Sequence, residues 1–316
     1  CVLITAADKN YLEQAKQLFS SVYYNSGWPG DYMLLSYDIP EKDLKWFRDK
    51  GIIVRKDKTK IKEKNGNLPP VIFSRYLIFK PYFKRWKNVI FLDSDIIVRA
   101  SLNKLVNVKG FAAVQDPLLL KEQIRNSYSK ALDSLGKRYD LSRRSFNAGL
   151  LAFDTRIIKK DSFKTLLELT KKYNNISKYD DQTVLNIYFY NKWQNLPLIF
   201  NVNPGIYLSK IKKSRQKDYF KKCLLHFYGE NKPWKADSPY KREWNENLEK
   251  AEFIDLKNRP LGRPNLNNYQ LKKILAILKA RRFYLEKIDK NIGLIGIKIK
   301  KISPKTYKTI KSWISR

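Results

Sequence analysis

Apolar positions along this chain alternate between two periods. Val2–Thr5 is a short continuous apolar run, as in a buried strand. After Asp8, residues Tyr11, Leu12, Ala15, Leu18, Phe19, Val22 and Tyr23 recur at spacings of three and four, one face of a helix. Trp28-Pro29-Gly30 breaks that stripe. Tyr32–Ser36 then reads as a strand, Glu41–Lys50 as a helix and Ile52–Val54 as a third strand. Such alternation predicts a mostly parallel sheet. Lys56–Pro70 is polar and basic, with Asn65-Gly66-Asn67 and two prolines, a long loop suited to a lid. Phe73–Phe83 has helical spacing. Val89–Leu92 is the best central strand; it ends in Asp93-Ser94-Asp95, and Ile96–Val98 follows. Phe111–Val114 and Leu150–Phe153 read as strands, Phe163–Tyr173 and Thr183–Tyr190 as helices. Leu196–Asn201 reads as extended and Cys223–Phe227 as a last short strand. Pro117–Arg143 reads as loops and short helices, and no internal repeat is visible.

Composition narrows this picture. Hydrophobic residues make up 43% of 316, enough for a full core and too many for a disordered chain. Two Cys cannot form a disulfide framework or a zinc site by themselves. No apolar run reaches the ~18 residues of a membrane span, and Val2–Thr5 is too short for a signal peptide. The charge changes the picture most: 64 Lys and Arg against 30 Asp and Glu, net +34. Such an excess suits a polyanionic partner: nucleic acid, an anionic membrane or a phosphorylated substrate. Residues 259–316 read as a separate basic tail after a body of 1–258. Leu271, Ile274, Leu275, Leu278 and Leu285 form one apolar stripe there, and Tyr307, Ile310, Trp313 and Ile314 another, both among Lys and Arg. Basic amphipathic helices of that kind lie on membrane surfaces. The plainer alternative is a helix packed on the body. Sedimentation of intact and truncated chains with anionic vesicles distinguishes the two.

Four segments carry candidate chemistry. Asp93 and Asp95 alternate on an extended chain, so both carboxylates point to one side and reach one cation. The competing reading is a solvated turn. His226 is the single histidine; an imidazole added to two carboxylates favours Mn²⁺ over Mg²⁺, while a lone histidine is also a common structural residue. After it, Gly229 lets backbone approach a ligand closely, and Lys232 has the charge to meet a phosphate. Asn147 and Gly149 precede a strand, where a plain turn is the alternative. Asp180-Asp181-Gln182 opens a helix, where an acidic N-cap is the alternative.

Taken in order, A-A-D-x-N-Y, S-R-Y, F-L-D-S-D, F-N-A-G-L-L, D-Q-x-x-L-N and H-F-Y-G-x-x-K-P-W form a set that resembles glycosyltransferase family 8 from Val2 to Trp234. The similarity is strongest to bacterial lipopolysaccharide and lipooligosaccharide α-galactosyl- and α-glucosyltransferases, and more distant to glycogenin. The resemblance implies an α/β GT-A fold: a Rossmann-like, mostly parallel sheet flanked by helices. It implies a retaining hexosyltransferase using a UDP-sugar with Mn²⁺ or Mg²⁺. By motif, Ala6, Asp8, Asn10 and Tyr11 correspond to the uridine site, Asp93, Asp95 and His226 to the metal ligands, and Arg75 and Ser94 to donor contacts. Asn147, Ala148, Asp181 and Gln182 correspond to the donor-sugar pocket, and Gly229 and Lys232 to the diphosphate clamp. Gln182, Asp181 and Asp95 are then the residues nearest the chemistry. Thr183 departs from the pattern, since members of the family often carry an acid there.

The resemblance also implies a glycolipid or surface-glycan acceptor and a place on the inner face of the cytoplasmic membrane, held by the basic tail. A self-glucosylating, glycogenin-like protein is the alternative enzyme. A nucleic-acid-binding protein would account for the +34 charge and the acidic pair, but leaves the six ordered motifs unexplained, so no nucleic acid is expected as partner.

Overall fold

Seven strands form one sheet in the order β3-β2-β1-β4-β7-β6-β8. They are β1 (Val2–Ala7), β2 (Asp31–Tyr37), β3 (Ile53–Asp57), β4 (Asn88–Leu92), β6 (Phe111–Leu119), β7 (Arg144–Asp154) and β8 (Trp193–Leu196). β5 (Ile96–Val98) pairs with β9 (Leu224–His226) in a separate two-stranded ladder. The computed structural model describes residues 1–57, 70–125, 129–207 and 222–256, and the single positions 276 and 280. The chain divides into two units, Cys1–Asn268 and Tyr269–Arg316, and both sheets belong to the first. Most of the expected lid, 56–70, and nearly all of the expected tail, 259–316, lie outside the described residues. Among the described residues no helix is long and apolar enough to cross a membrane.

The sheet is mostly parallel, as the alternation of elements predicts. β7 alone runs against its neighbours, β4 on one side and β6 on the other. One sheet face carries Val2, Ile4, Met33, Leu35, Phe91, Phe111 and Phe153, all fully or almost fully buried. Against it pack two short 3₁₀ segments, Pro70–Phe79 and Pro81–Arg85, and the helices α4 (Ser162–Tyr173) and α5 (Asp180–Tyr188). Aromatic rings fill this layer: Phe79 stacks on Phe153 at 5.0 Å, and Phe111 on Phe189 at 3.7 Å. Each buried Phe contributes about 1.5–3 kcal/mol. The other face is covered by α1 (Leu12–Asn25), whose Leu18, Phe19 and Val22 are wholly buried. α7 (Lys241–Lys250) packs on α1 in turn. The remaining helices are α2 (Glu41–Asp49), α3 (Ser129–Gly136) and the short α6 (Pro204–Tyr207).

Several elements differ from the sequence expectation. Phe73–Phe83 is 3₁₀ rather than α-helical and is interrupted at Lys80-Pro81, where proline cannot continue a ladder. The strand expected at Leu150–Phe153 begins six residues earlier, so Asn147, Ala148 and Gly149 lie inside β7 and not in a turn before it. Pairing of Asn147 with Val114 of β6 and the Asp93 N–H on Gly149 O hold these weak strand formers extended across a register shift. The helix expected from Thr183 begins at Asp180. The extended stretch expected at Leu196–Asn201 is the end of β8 followed by a 3₁₀ turn, Leu198–Phe200, entered through Pro197. The apolar pattern of the sequence does not mark α7.

Candidate active site

Asp93 and Asp95 lie just past the carboxyl end of β4, at the sheet edge where open α/β folds bind ligands. Backbone hydrogen bonds stitch three distant segments around them. The Asp93 N–H donates to Gly149 O at 2.8 Å, fixing β7 beside the first acid. The Phe227 N–H donates to Asp95 O at 3.1 Å, and the β5–β9 register sets His226 opposite Ile96. The His226 N–H donates to Val202 O at 2.8 Å. A ring 1% exposed is thereby delivered to the two carboxylates.

Its Nε2 stands 3.2 Å from Asp95 Oδ1 and 3.6 Å from Asp93 Oδ2. Despite this proximity Nε2 is out of hydrogen-bond alignment and is left buried without a hydrogen-bond partner. One ligand atom from each of Asp93, Asp95 and His226 falls within 4.8 Å of the others, and among the described residues no other acid, histidine or cysteine group does so. An orphaned imidazole nitrogen between two carboxylates fits a divalent cation. Gly149 makes this seat possible: a Cβ there would stand 2.0 Å from His226 Cε1 and 2.5 Å from Nδ1. F-N-A-G-L-L contains this glycine, but its role depends on a residue far away in sequence.

Charge is concentrated on both acids. Lys232 Nζ lies 2.6 Å from Asp95 Oδ2. Burial raises the Asp95 carboxyl, but His226 and Lys232 outweigh it and hold Asp95 below the usual carboxylate range. Arg75, 8% exposed and stacked over Phe91, bridges Asp93 Oδ1 at 2.5 Å and Asp181 Oδ2 at 2.7 Å. The second contact is a charge contact outside hydrogen-bond alignment. Asp181 sits in the first turn of α5, behind Asp180, whose φ of 41° is unusual for a side-chain-bearing residue. The residue at the N-cap position is Tyr179, which makes no side-chain capping hydrogen bond. Desolvation pushes the Asp181 carboxyl up to about 7; Arg75 opposes this, and Asp93 and Asp180 reinforce it.

Stability therefore depends on pH at this residue. A folded pKa above the unfolded value means the Asp181 contribution is intact below about pH 4. It is lost as pH rises through about 7. Asp181→Asn removes the penalty at every pH. In thermal melts with chelator, the variant should exceed wild type by a few °C at pH 8, and the gap should close toward pH 5. A gap constant across pH would show that Asp181 is not held protonated in the fold.

Two cavities meet at Arg75, Asp93 and Asp95. The smaller, about 230 Å³, is lined by Ala6, Tyr11 and Ser94 together with Ile72 and Phe91. The larger, about 650 Å³, takes in Asn147, Asp181, Gln182, His226, Gly229 and Lys232. Gly229 has φ 84°, a conformation that favours glycine. Asp8, Asn10 and Ala148 line neither cavity. Asp8 accepts from the Asn10 N–H at 2.9 Å and caps the turn leading into α1. Ala148, 1% exposed, donates its N–H to Gln182 Oε1 at 3.0 Å. Asn147 Nδ2 donates to the same oxygen at 3.2 Å, so both lone pairs of Gln182 Oε1 are engaged. Thr183, at the position that departs from the family pattern, is buried and donates to Gln123 O at 3.2 Å. Sequence reasoning missed Asp116, which lines the larger cavity 3.4 Å from Asn147 Nδ2, and Asn201, which contacts His226. A separate cavity of about 450 Å³, with Leu120, Tyr190 and Trp193 in its wall, contains none of the expected residues.

The pattern of Glycosyl transferase family 8 matches residues 2–238. Glycosyltransferase GlyF of Streptococcus pneumoniae serotype 4 (strain ATCC BAA-334 / TIGR4) is 26% identical over 75% of this chain and 58% of its own. Lipopolysaccharide glucosyltransferase WaaO of Escherichia coli (strain K12) is 23% identical over 87% of this chain and 85% of its own. The chain spans 58%, 30% and 34% of the pneumococcal relatives GlyF, GlyB and GlyA. Among solved structures, the galactosyltransferase LgtC in complex with donor and acceptor sugar analogs superposes with a TM-score of 0.60 at 19% identity, over 79% of this chain and 96% of that one. That likeness shows a shared GT-A fold.

Proposed function

The chain belongs to glycosyltransferase family 8, and from that premise we propose that it moves a hexose, galactose or glucose, from a UDP-sugar to a glycolipid or surface-glycan acceptor with retention at the anomeric carbon. The observation that carries this reading is the convergence of Asp93, Asp95 and an unpartnered His226 nitrogen beside a cavity lined by amides, acids and a lysine. Two relatives named as lipopolysaccharide glucosyltransferases support the glycolipid acceptor.

Asp93, Asp95 and His226 would hold Mn²⁺, which supplies Lewis acidity toward the diphosphate when bound. Ala6, Tyr11 and Ser94 line a space for the nucleoside, with Asp8 and Asn10 shaping the turn that carries Tyr11. Lys232 donates to a diphosphate oxygen and meets the charge that develops on leaving. Gly229 gives the backbone the turn that brings Lys232 there. Arg75 holds Asp93 and Asp181 at fixed separation. Asp181 and Asn147 orient sugar hydroxyls. Ala148 and Asn147 hold the Gln182 amide in place, and Gln182 faces the anomeric carbon only by giving up one of those hydrogen bonds. Asp116 and the exposed Tyr179 also line the larger cavity, and we assign the acceptor to their wall. The acceptor hydroxyl attacks on the face that UDP leaves. The bond from the anomeric carbon to the UDP oxygen breaks, the new glycosidic bond forms, and the acceptor proton passes to UDP.

The test is a panel of UDP-sugars with Mn²⁺, scored by UDP release and by proton NMR of the first product. UDP release from UDP-galactose or UDP-glucose and an α-linked product are expected. A β-linked product, or no release from either sugar, overturns the reading.

A further inference from the structure

We propose that Asn201 is a positioning residue whose amide holds His226 with its proton on Nδ1 and, through Asn147, fixes the amide of Gln182, so that the cation ligand and the donor-sugar pocket are set by one hydrogen-bonded chain. Asn201 is 5% exposed and follows the turn Leu198–Phe200. Backbone hydrogen bonds seat it: Val202 N–H donates to Leu224 O at 2.9 Å, and His226 N–H donates to Val202 O at 2.8 Å. Asn201 is thus laced to β9 beside the ring.

The polarity of the chain follows from backbone donors, which cannot reverse. The Gly149 N–H donates to the Asn147 side chain at 2.9 Å, so that atom is Oδ1. Asn201 reaches the same oxygen at 2.8 Å, so it must present Nδ2 there. Its own Oδ1 then faces His226 Nδ1 at 2.8 Å, and an amide oxygen only accepts. The ring must donate from Nδ1, so Nε2, buried beside Asp93 and Asp95, is the nitrogen free to take a cation once the ring is neutral. At the other end the Ala148 N–H fixes Gln182 Oε1 at 3.0 Å, and Asn147 Nδ2, its orientation already set, donates to that oxygen. Two consecutive backbone amides, of Ala148 and Gly149, therefore orient three side-chain amides and one imidazole. No atom of Asn201 lines either cavity, so it acts through His226 and Asn147.

The inference rests on the metal-dependent reading for what Nε2 does, but the tautomer can be read with no cation or sugar present. His226 is the single histidine, so ¹⁵N-histidine labelling yields one ring. In metal-free wild-type protein, NMR should show a proton on Nδ1 engaged with the Asn201 amide oxygen. A ring with no proton on Nδ1 overturns the proposal. Two variants then separate the halves of the chain. Asn201→Leu has no acceptor and should weaken Mn²⁺ binding about 10–100-fold, followed by the EPR signal of free Mn²⁺. Asn201→Asp retains an acceptor toward Nδ1 and should bind Mn²⁺ close to wild type. It loses the donor to Asn147, so kcat/KM for the UDP-sugar should fall about tenfold. Equal loss of Mn²⁺ binding in both variants would mean a merely structural Asn201 and overturn the proposal. If wild type turns over no UDP-sugar while the ring and Mn²⁺ results hold, the transferase reading fails and this one stands.

Discussion

Asp95→Asn should lower cation-stimulated UDP-sugar turnover by about 10²–10³, the scale set by losing a Lewis acid worth several kcal/mol. His226→Ala should do the same. Asp95 is the acid that both Lys232 Nζ, at 2.6 Å, and His226 Nε2, at 3.2 Å, approach. An amide keeps the shape but loses the charge, so the cation loses an anionic ligand and Lys232 loses its counterion. Chelator added to wild type should reproduce the loss, and should add nothing to the loss in Asp95→Asn. Far-UV circular dichroism and a thermal melt establish that the variant is folded. Full wild-type turnover in excess EDTA would sink the metal-dependent reading.

The parts of this molecule that the sequence reveals are those whose signal is contiguous. Val2–Thr5 and Val89–Leu92 are unbroken apolar runs because both lie in the middle of a sheet covered on two faces, and the structure places them as β1 and β4. Asp93 and Asp95 stand out because they follow such a run directly. His226 stands out because it is unique. What is not legible depends on partners remote in sequence. Lys232 and Asp95 are 137 positions apart and meet only through a ladder of three-residue strands. Asn147, Ala148 and Gly149 have turn-like composition, yet the pairing of Asn147 with Val114 and the Asp93 N–H on Gly149 O keep them in the strand. Asn201 is one asparagine in I-F-N-V-N-P, with nothing local to mark it. α7 is polar almost throughout, and its buried Trp244 and Asn247 become evident only once the fold brings up partners such as Trp234. Phe73–Phe83 has helical spacing, but Pro81 divides it and tertiary packing draws it into 3₁₀ turns.

Gly149→Ala should abolish the cation site as completely as His226→Ala, though residue 149 carries no ligand. Gly149 does not have the positive φ that demands glycine, so backbone strain is not the cause. The cause is space: the added methyl would lie 2.0 Å from His226 Cε1, 2.5 Å from Nδ1 and 2.8 Å from Nε2. Ordinary contact needs about 3.4–4 Å, so either the strand or the ring must give way. The strand cannot yield cheaply, since Gly149 O accepts from Asp93 N–H and residues on both sides pair with β4 and β6. The ring moves instead, well beyond the ~0.2 Å tolerance of a metal bond. Overpacking of this kind also costs about 1–3 kcal/mol of stability. The double variant Gly149→Ala with His226→Ala discriminates. Once the ring is gone the methyl has room, so the double variant should be more stable than Gly149→Ala alone. Its Mn²⁺ affinity should be no worse than that of His226→Ala. Such strong non-additivity is what two groups competing for one volume produce. If instead the two stability losses add, the methyl clashes with something other than the imidazole, and Gly149 is not the seat of His226.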